Sequence, residues 1–132
     1  MLILPFEVVE IFRAFLASYP AMRLGQAVCN VAEWDDFHAD NVSDEQLATQ
    51  AWEHLERRFG DVRLDSVVPP EDWAVALNEL RRLEHDMPFG ELLSGVAKRV
   101  GKRLYDVENE ELADAARNAI LDRVKFDKPI PA

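Results

Sequence analysis

Apolar residues recur along this chain with the period of an α-helix, in stretches cut off from one another by proline, glycine or acidic runs. Val8, Ile11, Phe12, Phe15, Leu16 and Tyr19 keep the spacing of one helical face behind Pro5, whose fixed φ suits a first helical turn. That spacing predicts a first helix over 5–18, ended by Pro20. Leu24, Ala27, Val28 and Val31 form the stripe of a second helix over 21–33. Positions 34–43 carry Asp35, Asp36, Asp40 and Asn41 with no apolar period and read as a loop. Ser43 and Gln46 have the spacing of a capping box. Leu47, Ala48, Ala51, Trp52, Leu55 and Phe59 then mark a third helix, with Gly60 as its left-handed stop.

After a connector over 61–69, whose Val62, Leu64, Val67 and Val68 suit a packed segment rather than a flexible linker, the pattern restarts. Pro70 opens a fourth helix with Trp73, Ala76, Leu77, Leu80 and Leu83 inward and Pro88 just past its end. A fifth carries Phe89, Leu92, Leu93, Val96 and Val100 up to Gly101. The sixth takes Asn109 as its N-cap and buries Leu112, Ala115, Ala116, Ala119, Ile120 and Val124, leaving 125–132 as a tail.

The second set of helices repeats the first. Laying 5–59 on 70–124 without a gap pairs Pro5 with Pro70, Met22 with Met87, Gly25 with Gly90, Val31 with Val96, Ala32 with Ala97 and Val42 with Val107. It also pairs Glu45 with Glu110, Leu47 with Leu112, Ala48 with Ala113, Ala51 with Ala116 and Arg58 with Arg123. Roughly three or four identities would arise by chance over such an overlap. The expectation is an all-α fold of six helices, a tandem duplication of a three-helix unit, with 5–59 as repeat one, 70–124 as repeat two and a single domain over 1–132. A glycine inside a helix costs about 1 kcal/mol against alanine, so Gly25 and Gly90 should mark close helix approaches.

Composition adds limits. A chain of 132 residues buries enough surface to stand without disulfides or metals, and Cys29, the single cysteine, suits a small buried thiol in a reducing compartment. The apolar start at Met1 has no basic flank and meets Pro5, Glu7 and Glu10 at once, so neither a secretory signal nor a membrane span is expected and the chain reads as cytoplasmic. A formal charge of −10 disfavours direct nucleic-acid binding and points to a protein partner with a neutral or basic surface. Residues 1–66 hold 5 basic and 12 acidic side chains, while 67–132 hold 10 and 13.

Four features stand out as candidate chemistry. Arg23, Gln26 and Asn30 lie at i, i+3 and i+7, a polar stripe able either to hydrogen-bond a partner or to tie down a neighbouring loop. Glu33, Asp35, Asp36, His38 and Asp40 make an acidic corner whose spacing fits no calcium loop, so a solvated partner-binding loop is expected there and no metal or cofactor. Lys98, Arg99, Lys102 and Arg103 form a basic corner at the end of the fifth helix, aligned with the acidic one and suited to its helix dipole. His54 and His85 lie among charged residues and read as surface positions. No nucleophile elbow or phosphate loop is present, which leaves nothing to suggest an enzyme.

The pattern Arg23-x-Gly25-Gln26-x-x-x-Asn30, behind an aromatic-rich helix ending at Tyr19 and Pro20 and ahead of an acidic loop, resembles a diffuse group of short uncharacterised helical proteins from phages and bacteria. The resemblance covers mainly 5–59 and implies a helical fold and a phage or mobile-element origin, without a catalytic role. The functional expectation is a non-catalytic protein-binding module, an inhibitor or antagonist that covers a target surface. An acidic nucleic-acid mimic is the alternative, an enzyme of unknown type a third reading, and a homodimer is compatible with all of them.

Overall fold

The computed structural model describes residues 7–34, 36–60, 72–84 and 86–127. They form six helices: α1 Glu7–Ser18, α2 Leu24–Glu33, α3 Asp44–Phe59, α4 Asp72–Leu83, α5 Phe89–Val100 and α6 Asn109–Asp127, with a 3-10 turn at Leu104–Asp106 before the last. Among the described residues there is no strand. The expectations placed on Pro5, Pro70 and the 61–69 connector fall outside the described residues.

Helix boundaries follow local chemistry. Tyr19 to Met22 make a turn, closed by the Met22 N–H donating to the Tyr19 carbonyl at 2.9 Å, so α2 begins at Leu24 rather than at position 21. Ser43 caps α3 as expected: its hydroxyl accepts from the Gln46 N–H, and the Gln46 side chain returns to the Ser43 N–H. Gly101 ends α5 in the left-handed region (φ 84°, ψ 21°). Gly60 also has positive φ (79°), but its ψ of −119° lies outside the left-handed helical basin. Asn109 is not the cap of α6 but its first residue, and the helix runs on through position 125 to Asp127.

The buried side chains of all six helices form one apolar cluster, centred on Phe12, Phe15, Phe89, Leu24, Leu47, Leu55, Leu77, Leu93 and Leu112. Within the first half α1 packs on α3, and α2 on both; within the second, α6 packs on α4 and α5. Between halves, α1 meets α4, and α2 lies against the turn at Leu104–Asp106.

Local geometry recurs at a fixed offset. Helices start at 7 and 72, 24 and 89, 44 and 109, sixty-five residues apart each time. The bond from Phe37 N–H to the Ala32 carbonyl, which closes the end of α2, has its counterpart from Lys102 N–H to Ala97 at the end of α5. Asn41 to His38 is matched by Asp106 to Arg103, and Met22 to Tyr19 by Met87 to Glu84. Even the backbone exception recurs: Asp36, the only described non-glycine residue with positive φ (59°), corresponds to Gly101.

Contacts between the halves follow the same offset. Asn109 Oδ1 accepts from the Leu24 N–H at 2.7 Å, and Asp44 Oδ1 accepts from the Phe89 N–H at 2.5 Å, so each half supplies an N-terminal cap for a helix of the other. A methyl group at Gly25 would overlap the Leu104 carbonyl oxygen, and one at Gly90 would overlap that of Ala39. Both glycines sit at the second position of their helices, where a loop of the opposite half crosses. These are the close approaches expected of them, though with a loop backbone rather than another helix.

Candidate functional site

The Arg23, Gln26 and Asn30 stripe is largely engaged inside the molecule. Arg23 Nη2 donates to the Tyr105 carbonyl and Gln26 Nε2 to the Tyr105 hydroxyl, both at 3.1 Å, so α2 clamps the turn that leads into α6. Asn30 is half-buried beside them. This is the loop-tying alternative of the two readings open in the sequence. At the corresponding place in the second half, Pro88, Glu91 and Asp40 stand where Arg23, Gln26 and Tyr105 are, and no such clamp forms. A cleft of about 500 Å³ opens there instead, lined by Asp40, Met87, Glu91, Ser94, Lys98, Lys102 and Arg103 among others.

Among the described residues the two charged corners form no ion pair with each other. Arg99 bonds Asp122 at 2.9 Å, Lys102 bonds Glu111 at 2.9 Å and Arg103 bonds Asp106 at 2.8 Å, all within the second half. Hydrogen bonding from Lys102 and from the Glu108 N–H holds the Glu111 carboxyl below its usual range. Lys98 is exposed on the rim of the 500 Å³ cleft. Glu33, Asp36, His38 and Asp40 are exposed, Asp35 lies outside the described residues, and Asp40 shares the 500 Å³ cleft with the basic corner. Among the described residues no group of three or more His, Cys, Asp or Glu side chains converges on a metal position. Cys29 is half-buried rather than fully buried, and burial first, then Glu33 and Asp106, push its thiol up to about 11, which leaves little thiolate at neutral pH.

The feature that sequence reading missed is a cluster of rings. His54 lies in it rather than among surface charges, its Nε2 2.7 Å from the Tyr19 hydroxyl. Trp34 lies against the imidazole at a tilt of 32°, with centroids 4.8 Å apart, and Phe15 lies 5.6 Å from it on the inner side. Phe59 meets Tyr19 edge-on at 5.7 Å. Trp34 and Phe59 remain 45% and 47% exposed, so the outer faces of two large rings are open to solvent. Burial, then the charges of Arg57 and Arg58, lower the His54 pKa. That shift favours the neutral imidazole, and which of the Tyr19 hydroxyl and the His54 nitrogen donates in their hydrogen bond depends on the imidazole tautomer.

A signal for this cluster was present in the sequence. Tyr19, Trp34 and His54 correspond to Glu84, Arg99 and Ala119, so the first half carries rings where the second carries charge or a methyl group. Exposed Glu33 and Asp36 flank Trp34 along the chain. His85 lies outside the described residues. No described helix is long and apolar enough to cross a membrane. Compared with protein-family models, curated proteins and solved structures, the chain matches none of them.

Proposed function

We propose that the protein is a non-catalytic protein-binding module whose docking face is the ring cluster of Tyr19, Trp34, His54 and Phe59, bordered by Glu33 and Asp36. The observation that carries this reading is the joint exposure of Trp34 and Phe59, each in contact with a further ring of the cluster. Large rings held by neighbours lose little freedom on binding and dominate the energetics of interfaces. Arg57 and Arg58 lie near His54 as well, so the border is mixed in charge, and the preference for a neutral or basic partner rests on the chain's −10 charge, which would steer such a partner in.

The same reading takes the chain to be a cytoplasmic single domain built as a tandem duplication. The recurring helix starts, turn bonds and reciprocal caps support that. An antagonist role and an origin in a phage or mobile element belong to the proposal too, supported by the short Arg23-x-Gly25-Gln26 pattern alone. Acidic mimicry of a nucleic acid is the second reading, favoured by the net charge.

The test is affinity capture from a bacterial lysate with the wild-type chain, then quantitative binding of the retained protein to Trp34→Ala and Phe59→Ala variants. Loss of a central ring should weaken binding at least tenfold, since about 2 kcal/mol or more is typical of such anchors. Undiminished binding by the double variant would move the docking face elsewhere. A salt series separates the two readings: a packed ring interface should change little between about 0.1 and 0.5 M salt, whereas mimicry should collapse.

A further inference from the structure

The ring cluster has an unfilled counterpart. Between α4, α5 and α6 lies a cleft of about 360 Å³ with Leu80, Leu92, Val96 and Ala119 on its walls and Glu84 and Arg99 at its edge. Leu80, Glu84, Arg99 and Ala119 stand sixty-five positions after Phe15, Tyr19, Trp34 and His54. Helix starts and turn bonds recur at that offset, while α4 packs less closely on α5 than α1 does on α2. The filling differs as well: four rings in mutual contact in the first half give way to an isobutyl group, a carboxylate, a guanidinium and a methyl group. Leu92 in place of Ala27 returns only part of the lost volume.

The lining also states what the cleft would accept. At the place of His54 the methyl of Ala119 leaves room for one flat ring, and a volume of this size lies at the small end of ligand pockets. In the first half the ring nitrogen of His54 meets the Tyr19 hydroxyl at 2.7 Å. A ring in the second half would meet the Glu84 carboxylate instead, already bonded to Arg123 at 2.9 Å and, when ionised, able only to accept hydrogen bonds. The bottom is apolar and the rim carries the Arg99–Asp122 and Arg123–Glu84 pairs, so an uncharged ring with a polar edge is matched at both ends.

We infer that this cleft binds a planar nitrogen heteroaromatic ring, of indole or imidazole type, seated where Ala119 leaves space and donating its ring N–H to Glu84. The ring arrives either as a free small molecule or as a tryptophan or histidine side chain of a protein. The inference does not depend on the ring face of the first half being a docking site.

Titration of the full chain, labelled with nitrogen-15, with indole, 1-methylindole and N-acetyl-tryptophanamide tests it. Indole should shift the amide signals of Leu92, Val96 and Ala119 in a saturable way, and 1-methylindole, which lacks the donor, should bind about tenfold more weakly. Ala119→His, which restores the first half's ring, should abolish the shifts, with Ala119→Phe as a second filling variant should the first not fold. Binding of N-acetyl-tryptophanamide at least as tight as that of indole assigns the ring to a protein side chain, and the reverse order assigns it to a free molecule. Absence of saturable shifts at these amides with ~5 mM indole, or indole binding unchanged in both filling variants, overturns the site; equal binding of 1-methylindole overturns the role of Glu84.

Discussion

Asp44 and Arg81 allow the joint between the halves to be tested by rewriting one half in the terms of the other. Asp44 opens α3; one of its oxygens accepts from Arg81 Nη2 at 3.1 Å while the other caps α5 at Phe89. The two side chains are 16% and 12% exposed, and the guanidinium carbon lies 5.6 Å from the centre of the Phe89 ring. Burial lowers the Arg81 pKa and the Asp44 charge opposes that shift. Sixty-five positions away, the corresponding residues are Asn109, which caps α2 without a charge, and buried Leu16. A charged cap is thus accompanied by a guanidinium, and a neutral cap by an apolar side chain. Asp44→Asn alone removes the charged acceptor that Arg81 Nη2 bonds in a largely buried setting, and Arg81→Leu alone leaves a carboxylate facing an apolar neighbour. Complete burial would put each loss near 3–5 kcal/mol; with some solvent access about 2–3 kcal/mol is expected, a fall in Tm of roughly 8–12 °C. The double variant reproduces the Leu16 and Asn109 arrangement and should lie within about 1 kcal/mol of the wild type. Urea unfolding followed by circular dichroism, with a constant slope across the four proteins, measures this. Additive losses, leaving the double variant about 4–6 kcal/mol below the wild type, would refute the exchange of one cap chemistry for the other.

Four further outcomes follow from substitutions elsewhere in the chain. Gly25→Ala and Gly90→Ala should each lower stability by about 2 kcal/mol or more, despite alanine's better helix propensity, because the new methyl meets a carbonyl oxygen; Gly95→Ala, with nothing near its added methyl, should raise stability by up to about 1 kcal/mol in the same thermal melts. Asp36→Gly should stabilise by about 0.5–1 kcal/mol, since φ of 59° is strained for a residue with a Cβ and the matching position already carries Gly101. The lowered His54 pKa means that the folded chain holds fewer protons there than the unfolded one, so its contribution is complete above the unfolded value of about 6.5 and is lost as pH falls through the folded value. Urea midpoints between pH 7.5 and 5 should therefore drop less in His54→Gln than in the wild type, and parallel curves would remove the argument.

Much of the fold could be read from periodicity. The apolar stripes located all six helices, because a stripe at 3.6-residue spacing buries itself in few other ways. Boundaries were less legible where a neighbour decides them. Asn109 reads as a cap for its own helix, and it is a cap, but for α2; only the meeting of the two halves assigns its side chain to the Leu24 N–H. The 3-10 turn at Leu104–Asp106 escaped for the same reason, being held by Arg23 and Gln26 from another helix. Charge was the poorest guide to the candidate site. Like-charged clusters stand out in a sequence, yet Arg99, Lys102 and Arg103 of the basic corner are engaged with acids of their own half. Tyr19, Trp34, His54 and Phe59 are scattered over forty positions and become neighbours only through the packing of α1, α2 and α3.

The pattern of agreement between the halves bears on where binding chemistry could arise. Turns, caps and close glycine approaches coincide at the offset, and these are the features a crossing of two chain segments cannot relax without losing a buried hydrogen bond or gaining a clash. Side chains on the outer faces carry no such constraint. There the halves diverge in a consistent direction: the clamp on Tyr105 and the ring stack around His54 fill two places in the structure, and the counterparts of both are the 500 Å³ and 360 Å³ clefts. An apolar hollow weakens the surrounding packing, and rings left half in water forgo part of the burial they could have had. Neither departure helps the fold, which is why the docking face and the ring site are proposed at these two positions. On those proposals the exposed rings meet a partner that brings a surface, and the cleft meets one that brings a ring.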